Sequence, residues 1–191
     1  MSIPKKITYN SPVVLSFAGL SLVALILGYI TGGTSTLSLF SVYRSSLLRP
    51  LTYVRLVTHV LGHSGYEHYI SNMLMLLVIG PPMEEKYGSR ALLRAIVVTA
   101  VVSGLVQMIF FPHTALLGAS GIVFMLIVMS SLAGMQEGSV PLTLILVLVF
   151  YLGGEVVAGL FQRDNISHLA HILGGLSGAV LGYALEREKK T

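Results

Sequence analysis

A serine framed by glycines and a histidine within apolar sequence are the residues of this chain best suited to chemistry. Residues 118–121 read Gly-Ala-Ser-Gly, and His171 follows in a later apolar stretch. Both stretches are long enough to form membrane helices, where polar and ionisable side chains are costly and are functional candidates by default. A serine becomes an effective nucleophile when an adjacent base takes its proton. The pair Ser120 and His171 therefore predicts acyl transfer at membrane depth.

The composition predicts a polytopic membrane protein. Of the 191 residues, 54% are hydrophobic and 10% are charged, whereas soluble domains carry about 25% charged residues. The net charge of +4 is small and spread along the chain, which argues against nucleic acid as a partner. The chain contains no cysteine, so disulfides and thiolate chemistry are excluded.

Apolar runs of the length that crosses a bilayer, about 20 residues, predict an all-α protein with six spans. We expect one membrane domain over residues 1–191, with spans near 12–30, 67–83, 89–111, 119–135, 140–160 and 166–186. Short polar or Gly/Pro segments, Pro81-Pro82 among them, separate the spans. The exception is the connection over 31–66, which has apolar stretches of its own, and connections of that length are usually functional or partly structured.

We expect an integral protein of the cell (plasma or inner) membrane, and the distribution of Lys and Arg predicts that both termini are cytoplasmic. With the N-terminus inside, eight cationic residues lie on the inner side and four on the outer side. In this orientation His68, Ser120 and His171 all fall near the outer ends of their spans. Ser120 and His171 also reach similar depth, because the helix that follows Ser120 covers only about 24 Å.

A second set of polar groups is suited to stabilise the oxyanion of such a reaction. His68 and Asn72 are four residues apart, hence on one helix face, and both side chains can donate hydrogen bonds. The backbone N–H of Ser120 lies at a predicted helix N-terminus, which favours negative charge, and Gly118 is assigned to the same oxyanion site. Taken alone, the Gly-Ala-Ser-Gly motif is also typical of packing between membrane helices.

Small residues on the last span predict its packing partner. His171, Gly174 and Gly178 share one helix face, and glycines four residues apart let another helix approach closely. The expected partner is the span that carries Ser120 and Phe124, with the Phe124 ring packed on the imidazole.

The remaining ionisable residues offer two alternatives. His59 and His63 have the spacing of metal ligands on a helix, but only Glu67 could add a carboxylate, so we expect structural roles, no metal and no cofactor. A third triad member requires a carboxylate next to the histidine. The single aspartate, Asp164, lies in a loop seven residues before His171, so the sequence predicts a Ser–His dyad.

The order and spacing of these motifs resemble those of the rhomboid intramembrane serine proteases. The similarity covers roughly residues 54–183 and rests on Arg55, Thr58-His59, His63, His68, Asn72, Glu84, Gly88-Ser89, Ser103-Gly104, 118–121, Ala170-His171, Gly174 and Gly178. The resemblance implies a six-helix core and a Ser120–His171 dyad. It also implies oxyanion contacts from His68, Asn72 and the Ser120 backbone. The long first connection would be embedded in the membrane, and the fifth span with its following loop would form a mobile gate and cap.

The resemblance further implies an endopeptidase that cleaves single-span membrane proteins near the outer membrane face. Its expected partners are transmembrane substrates and the lipid bilayer, and the oligomeric state stays open. Val54 stands where the family often has an aromatic residue, and Phe124 stands where a tyrosine often stacks on the histidine. The alternative functions are a catalytically inactive rhomboid-like protein that binds membrane helices, and a small transporter with a histidine relay.

Overall fold

The computed structural model describes residues 9–133, 139–147, 149–150 and 165–188, with only the backbone given for 165–170 and 188. Within these ranges the chain is mostly helical. The elements are α1 (Pro12–Ile30), α2 (Thr34–Leu39), α3 (Pro50–Thr58), a 3₁₀ turn (His59–Leu61), α4 (Tyr66–Tyr87), α5 (Ser89–Phe110), α6 (Ser120–Leu132), α7 (Leu142–Val147) and α8 (Asn165–Glu188). Most of the expected fifth span, 140–160, lies outside the described residues.

The long helices occupy the sequence ranges in which spans are expected. Helices α1, α4, α5, α6 and α8 each begin within one residue of a predicted span start. In the described part of the chain, α1 and α5 are long and apolar enough to cross a bilayer, whereas α6 is apolar but has 13 residues. Six crossings stay a prediction.

Helix α4 continues beyond the break that the sequence predicts, so the expected separation of spans at Pro81-Pro82 is wrong. The helix runs through both prolines to Tyr87. Its last turns are held by α1, because the Glu84 carboxylate accepts the backbone N–H groups of Val13 and Val14 at 3.0 Å each. Prolines are tolerated inside membrane helices where neighbouring elements compensate for the lost backbone bonds.

The long first connection contains α2, α3 and the 3₁₀ turn, and it is anchored to the segment that leads to α6. The Arg44 guanidinium donates from Nε to the carbonyl of Met108 at 2.8 Å and from a terminal nitrogen to that of Ile109 at 2.7 Å. These carbonyls end α5 and carry partial negative charge. An isolated antiparallel bridge joins Val42 to Leu116 through two 2.9 Å hydrogen bonds. The connection is therefore fixed both to the end of α5 and to the 111–119 segment.

Helix α6 occupies the core and packs along α8. Residues 122–129 of α6 are all buried. Three glycines of α8, spaced four residues apart, face the same side of α6: Gly174 against Gly121, Gly178 against Met125, and Gly182 against Met129. A Cβ on either of the first two would collide with the α6 main chain, so these glycines set how closely the two helices approach.

Candidate active site

Ser120 is the first residue of α6 and follows a tight backbone turn. The turn depends on Gly118, which has a φ of +124°, a conformation that only glycine adopts readily. The backbone N–H of Gly118 donates to the carbonyl of His59 at 3.0 Å. Because that N–H is already bonded to His59, it is not available to an oxyanion, to which the sequence had assigned Gly118. The missing side chain of Gly118 instead leaves room beside Ser120.

His171 lies against the first turn of α6. Its imidazole stacks on the Phe124 ring, with centroids 4.4 Å apart and planes 7° from parallel. Phe124 is four residues after Ser120 and therefore shares its helix face. One turn after His171, Gly174 contacts the backbone of Gly121. The structure thus brings His171 to the turn of α6 that Ser120 begins.

His68 borders the same turn from the α4 side. A Cβ added to Gly118 would lie 2.9 Å from both Nε2 and Cε1 of His68. The other ring nitrogen, Nδ1, is 3.4 Å from the backbone N–H of Ser64 and 3.1 Å from its hydroxyl. A backbone N–H can only donate, so Nδ1 is the acceptor and the proton of the neutral ring is on Nε2. His68 therefore presents an N–H donor beside the serine turn.

Asn72 lies one turn after His68 on α4. Its side chain is 7% exposed, and Nδ2 donates to the carbonyl of His68 at 2.9 Å. This bond orients the amide and couples it to the backbone of the neighbouring residue. Because an amide nitrogen carries two hydrogens, Nδ2 retains the capacity to donate a second bond.

His59 has a structural role, and its contacts reach further than the sequence suggests. A structural role was expected from the sequence, and the ring lies between Arg55 and α5. Nδ1 donates to the carbonyl of Arg55 at 3.1 Å, and Nε2 lies 3.4 Å from the Ser103 hydroxyl. Burial lowers the pKa of His59 to about 4. The neutral ring and the His59 carbonyl therefore join the connection to α5 and to the serine turn.

His63 supports His68. The two rings meet edge to face with centroids 5.0 Å apart, and His63 makes a similar contact with Tyr69 at 5.5 Å. Among the residues that the structure describes, no group of three His, Asp or Glu side chains could hold a metal ion.

Two polar residues of α5 take part in holding the site, although the sequence analysis gave them no role. The Gln107 amide nitrogen donates to the carbonyl of Thr114 at 3.1 Å and to its hydroxyl at 3.0 Å. Ser103 contacts His59 as described above. Ser103 and Gln107 are four residues apart, so they share one face of a long apolar helix. Two polar residues on one face of such a helix could have predicted a role for them from the sequence. Asp164, on which the choice between dyad and triad depends, lies outside the described residues.

The chain is similar in sequence to proteins of one family. The Rhomboid domain family matches residues 50–188. The chain is 29% identical over 176 residues to Rhomboid protease GluP of Bacillus subtilis (strain 168), which covers 87% of this chain and 34% of that protein. It is 30% identical over 142 residues to Rhomboid protease GlpG of Salmonella choleraesuis (strain SC-B67). This match covers 72% of this chain and 51% of that protein. It is 27% identical over 157 residues to Rhomboid-related protein 2 of Mus musculus. This match covers 71% of this chain and 52% of that protein.

The matched sequence spans about half the length of these relatives or less. The family match includes α4, the serine turn and α8, which carry the side chains described above. Because it covers most of the chain, the protein belongs to the rhomboid family of integral membrane proteins.

Proposed function

We propose that the protein is an intramembrane serine endopeptidase in which Ser120 is the nucleophile and His171 is the general base. The observation that carries the proposal is the position of His171, which Phe124 holds against the turn that Ser120 begins. Two of its relatives are named as rhomboid proteases. A serine and a histidine at matching depth supply the minimum groups for covalent acyl transfer.

The reaction proceeds in two halves. His171 takes the hydroxyl proton as the Ser120 oxygen bonds to the peptide carbonyl carbon, and the carbonyl oxygen becomes an oxyanion. When this intermediate collapses, the C–N bond breaks and His171 gives its proton to the leaving amine. In the second half His171 takes a proton from water, the hydroxyl attacks the acyl ester, and the serine leaves as the proton returns to it.

Three donors stabilise the oxyanion in this proposal. They are the Nε2–H of His68, the second amide hydrogen of Asn72 and the backbone N–H of Ser120. The last of these is among the unpaired N–H groups at a helix N-terminus, where the helix dipole favours negative charge. Donors held in place before the reaction contribute most, because they need not reorient as charge develops.

We propose a single six-span rhomboid core over residues 1–191, with both termini cytoplasmic and the site below the outer membrane surface. Helix α6 has 13 residues, about 20 Å of helix, against a hydrocarbon thickness of about 30 Å. The irregular segment before Ser120 then lies within the membrane, where exposed backbone is tolerated only under protein cover. The Val42–Leu116 bridge and the Gln107–Thr114 bonds supply such cover.

The substrates of this reaction are single-span membrane proteins cut near the outer membrane face. An intact helix engages its carbonyls in its own hydrogen bonds, so the substrate must unwind locally before Ser120 can attack. Phe124 keeps the flat ring that contacts His171 but has no hydroxyl, so it is expected to tune the rate rather than abolish it.

The test uses the full chain in lipid vesicles with a fluorescent single-span substrate. Ser120→Ala should lower the cleavage rate by more than about 10³-fold, as loss of a covalent nucleophile does in serine proteases. Ser130→Ala is the matched control, because Ser130 is an exposed serine of the same helix, and it should keep the wild-type rate. Wild-type cleavage by Ser120→Ala excludes this nucleophile. A folded wild-type protein that binds the substrate without cutting it supports the inactive helix binder instead.

A further inference from the structure

A cavity of about 380 Å³ lies between the outer end of α1 and the first connection. Its volume falls in the range of small-ligand sites, and most of its wall is apolar. Its lining includes Leu25, Gly28, Gly32, Leu37, His63 and Leu117, whereas Ser120, His68 and His171 do not line it. The cavity is therefore separate from the proposed active site, although His63 touches both the cavity and His68.

His63 lines this apolar wall and carries a hydrogen-bond acceptor that no other group in the described part of the chain uses. Its side chain is 3% exposed, and Nδ1 lies 3.1 Å from the carbonyl of Leu61. A carbonyl only accepts, so Nδ1 carries the proton and Nε2 has a free lone pair. Nε2 is buried and has no hydrogen-bond partner in the structure, which is uncommon for a buried polar atom.

The ring of His63 is neutral under physiological conditions. Burial, followed by the neighbouring imidazole of His68, lowers the pKa of His63 to about 4. The acceptor on Nε2 therefore persists at neutral pH. A ligand that binds to Nε2 must donate a hydrogen bond. A hydroxyl can donate one, whereas an ester carbonyl or a phosphodiester oxygen can only accept.

The cavity borders the surface that faces lipid. Tyr29 and Ile30 at the end of α1 are 65% and 75% exposed, and Leu37, which lines the cavity, is 57% exposed. A Cβ on Gly32 or Gly33 would meet no atom within 4 Å, so the wall is open on this side. In a membrane protein, large apolar side chains that are this exposed contact acyl chains rather than water.

We propose that this cavity binds a membrane lipid whose apolar chain lies between α1 and the first connection and whose free hydroxyl donates a hydrogen bond to Nε2 of His63. Monoacylglycerols and diacylglycerols have this chemistry. The chain would cover the apolar wall, and the hydroxyl would satisfy the buried acceptor. The inference does not depend on Ser120 being a nucleophile.

The test uses photocrosslinking of the purified full chain. The probe is a monoacylglycerol with a diazirine in its acyl chain, and the competitors are 1-oleoylglycerol and methyl oleate, which has the same chain but no hydroxyl. We expect crosslinks within 25–37 and 115–117. The hydroxyl-bearing competitor should displace the probe at about tenfold lower concentration, the factor that one net hydrogen bond supplies.

Three variants sharpen the result. Ala115→Phe places a ring in the cavity and should reduce crosslinking about tenfold. Val78→Phe adds the same ring to an exposed face of α4 and should leave crosslinking unchanged. His63→Phe removes the acceptor but keeps a ring, so the two competitors should become equal.

Equal competition in the wild-type protein would overturn the proposal, as would crosslinks spread over all exposed helices or an absence of crosslinks. Displacement of the probe by a substrate segment but not by 1-oleoylglycerol would identify a peptide site instead. If a cavity variant does not fold, the ratio of the two competitors in the wild-type protein still decides the outcome.

Discussion

The two ends of the described helices hold their polar residues in different ways; in the proposed orientation, the end that carries Ser120 is the outer end and the opposite end is the inner end. At the outer end the contacts are made by imidazole rings packed on other rings. His63 meets His68 edge to face, and Phe124 stacks on His171. The hydrogen bonds that orient these rings come from loop residues such as Ser64 and from carbonyls of the first connection.

At the inner end the contacts are made by charged groups. Glu84 is 3% exposed and accepts three hydrogen bonds, two from the first turn of α1 and one from Ser89 at 2.7 Å. Lys86 pairs with Glu186 and donates to the carbonyl of Ala133. The Tyr87 hydroxyl also donates to Glu186, at 2.7 Å. These bonds join α4 to α1, to α8 and to the end of α6.

The difference indicates a division of roles between the two ends of the helices. Carboxylates with several charge-assisted hydrogen bonds stabilise the arrangement of helices, and removing one leaves buried partners without a bond. In the proposed mechanism the outer donors are held in place, but their principal acceptor, the oxyanion, exists only during the reaction. Substitutions of the polar residues at the outer end should therefore lower the rate more than the stability, and substitutions of the polar residues at the inner end should do the reverse.

The largest effect on rate in this comparison is expected for His171→Ala. Without the base, the serine hydroxyl is a poor nucleophile, so kcat should fall by about 10³-fold or more. Thermal unfolding of the purified variant should stay within a few degrees of the wild-type value, because the His171 side chain is only partly buried. If the variant unfolds, His171 is needed for stability like the inner residues. If its rate is near that of the wild-type protein, His171 is not the general base.

His68→Ala should lower kcat by about 10²–10³-fold, the usual effect of removing one oxyanion donor. KM should change less, because the bond strengthens only in the transition state. Steady-state cleavage of the single-span substrate gives both constants. His113→Ala is the control, since His113 is an exposed histidine. If the kcat of His68→Ala stays within threefold of wild type, His68 is not an oxyanion donor.

Phe124→Ala should lower kcat by roughly 10–10²-fold, because a misplaced base loses much of its effect. The ring is 7% exposed, so the variant should also lose about 3 kcal/mol of stability. Phe124→Tyr retains the flat ring and separates the two effects, and it should keep a rate near that of the wild-type protein. Loss of activity in both variants would argue against stacking as the means of orienting His171.

Glu84→Gln is the corresponding test at the inner end and should have the smallest effect on rate. One backbone N–H of α1 then faces an amide NH₂ instead of a carboxylate oxygen, which costs about 1–3 kcal/mol of unfolding free energy. Equilibrium unfolding in detergent measures this loss, with the exposed neighbour in Glu85→Gln as control. We expect kcat to stay near the wild-type value, and a kcat loss larger than that of His68→Ala would contradict the division of roles.

Features set by local sequence could be predicted before the structure. The helix starts follow from long apolar runs bounded by polar residues. The spacing from Ser120 to Phe124 and from His171 to Gly174 also fixes which residues share a helix face. The site then forms when the face of α6 with Ser120 and Phe124 packs against the face of α8 with His171. The glycine spacing in α8 predicted which face of that helix makes the contact.

Features set by long-range contacts could not be predicted. The bonds from Glu84 to α1 join residues about 70 positions apart, and they accompany a helix that continues past Pro81-Pro82. The capping of α5 by Arg44 spans a similar distance. The hydrogen bond from the Gly118 N–H to the His59 carbonyl depends on how the first connection folds back against the serine turn. No periodicity or motif encodes these contacts, because each depends on the final packing of separate elements.

The most direct test of the central claim is to identify the residue that a fluorophosphonate modifies in the full-length chain. The Ser120–His171 dyad predicts one adduct, on Ser120, found by mass spectrometry in the wild-type protein and in Ser130→Ala. The adduct should be absent from His171→Ala. A wild-type protein that cleaves its substrate while Ser120 stays unmodified and another serine carries the adduct would contradict the account.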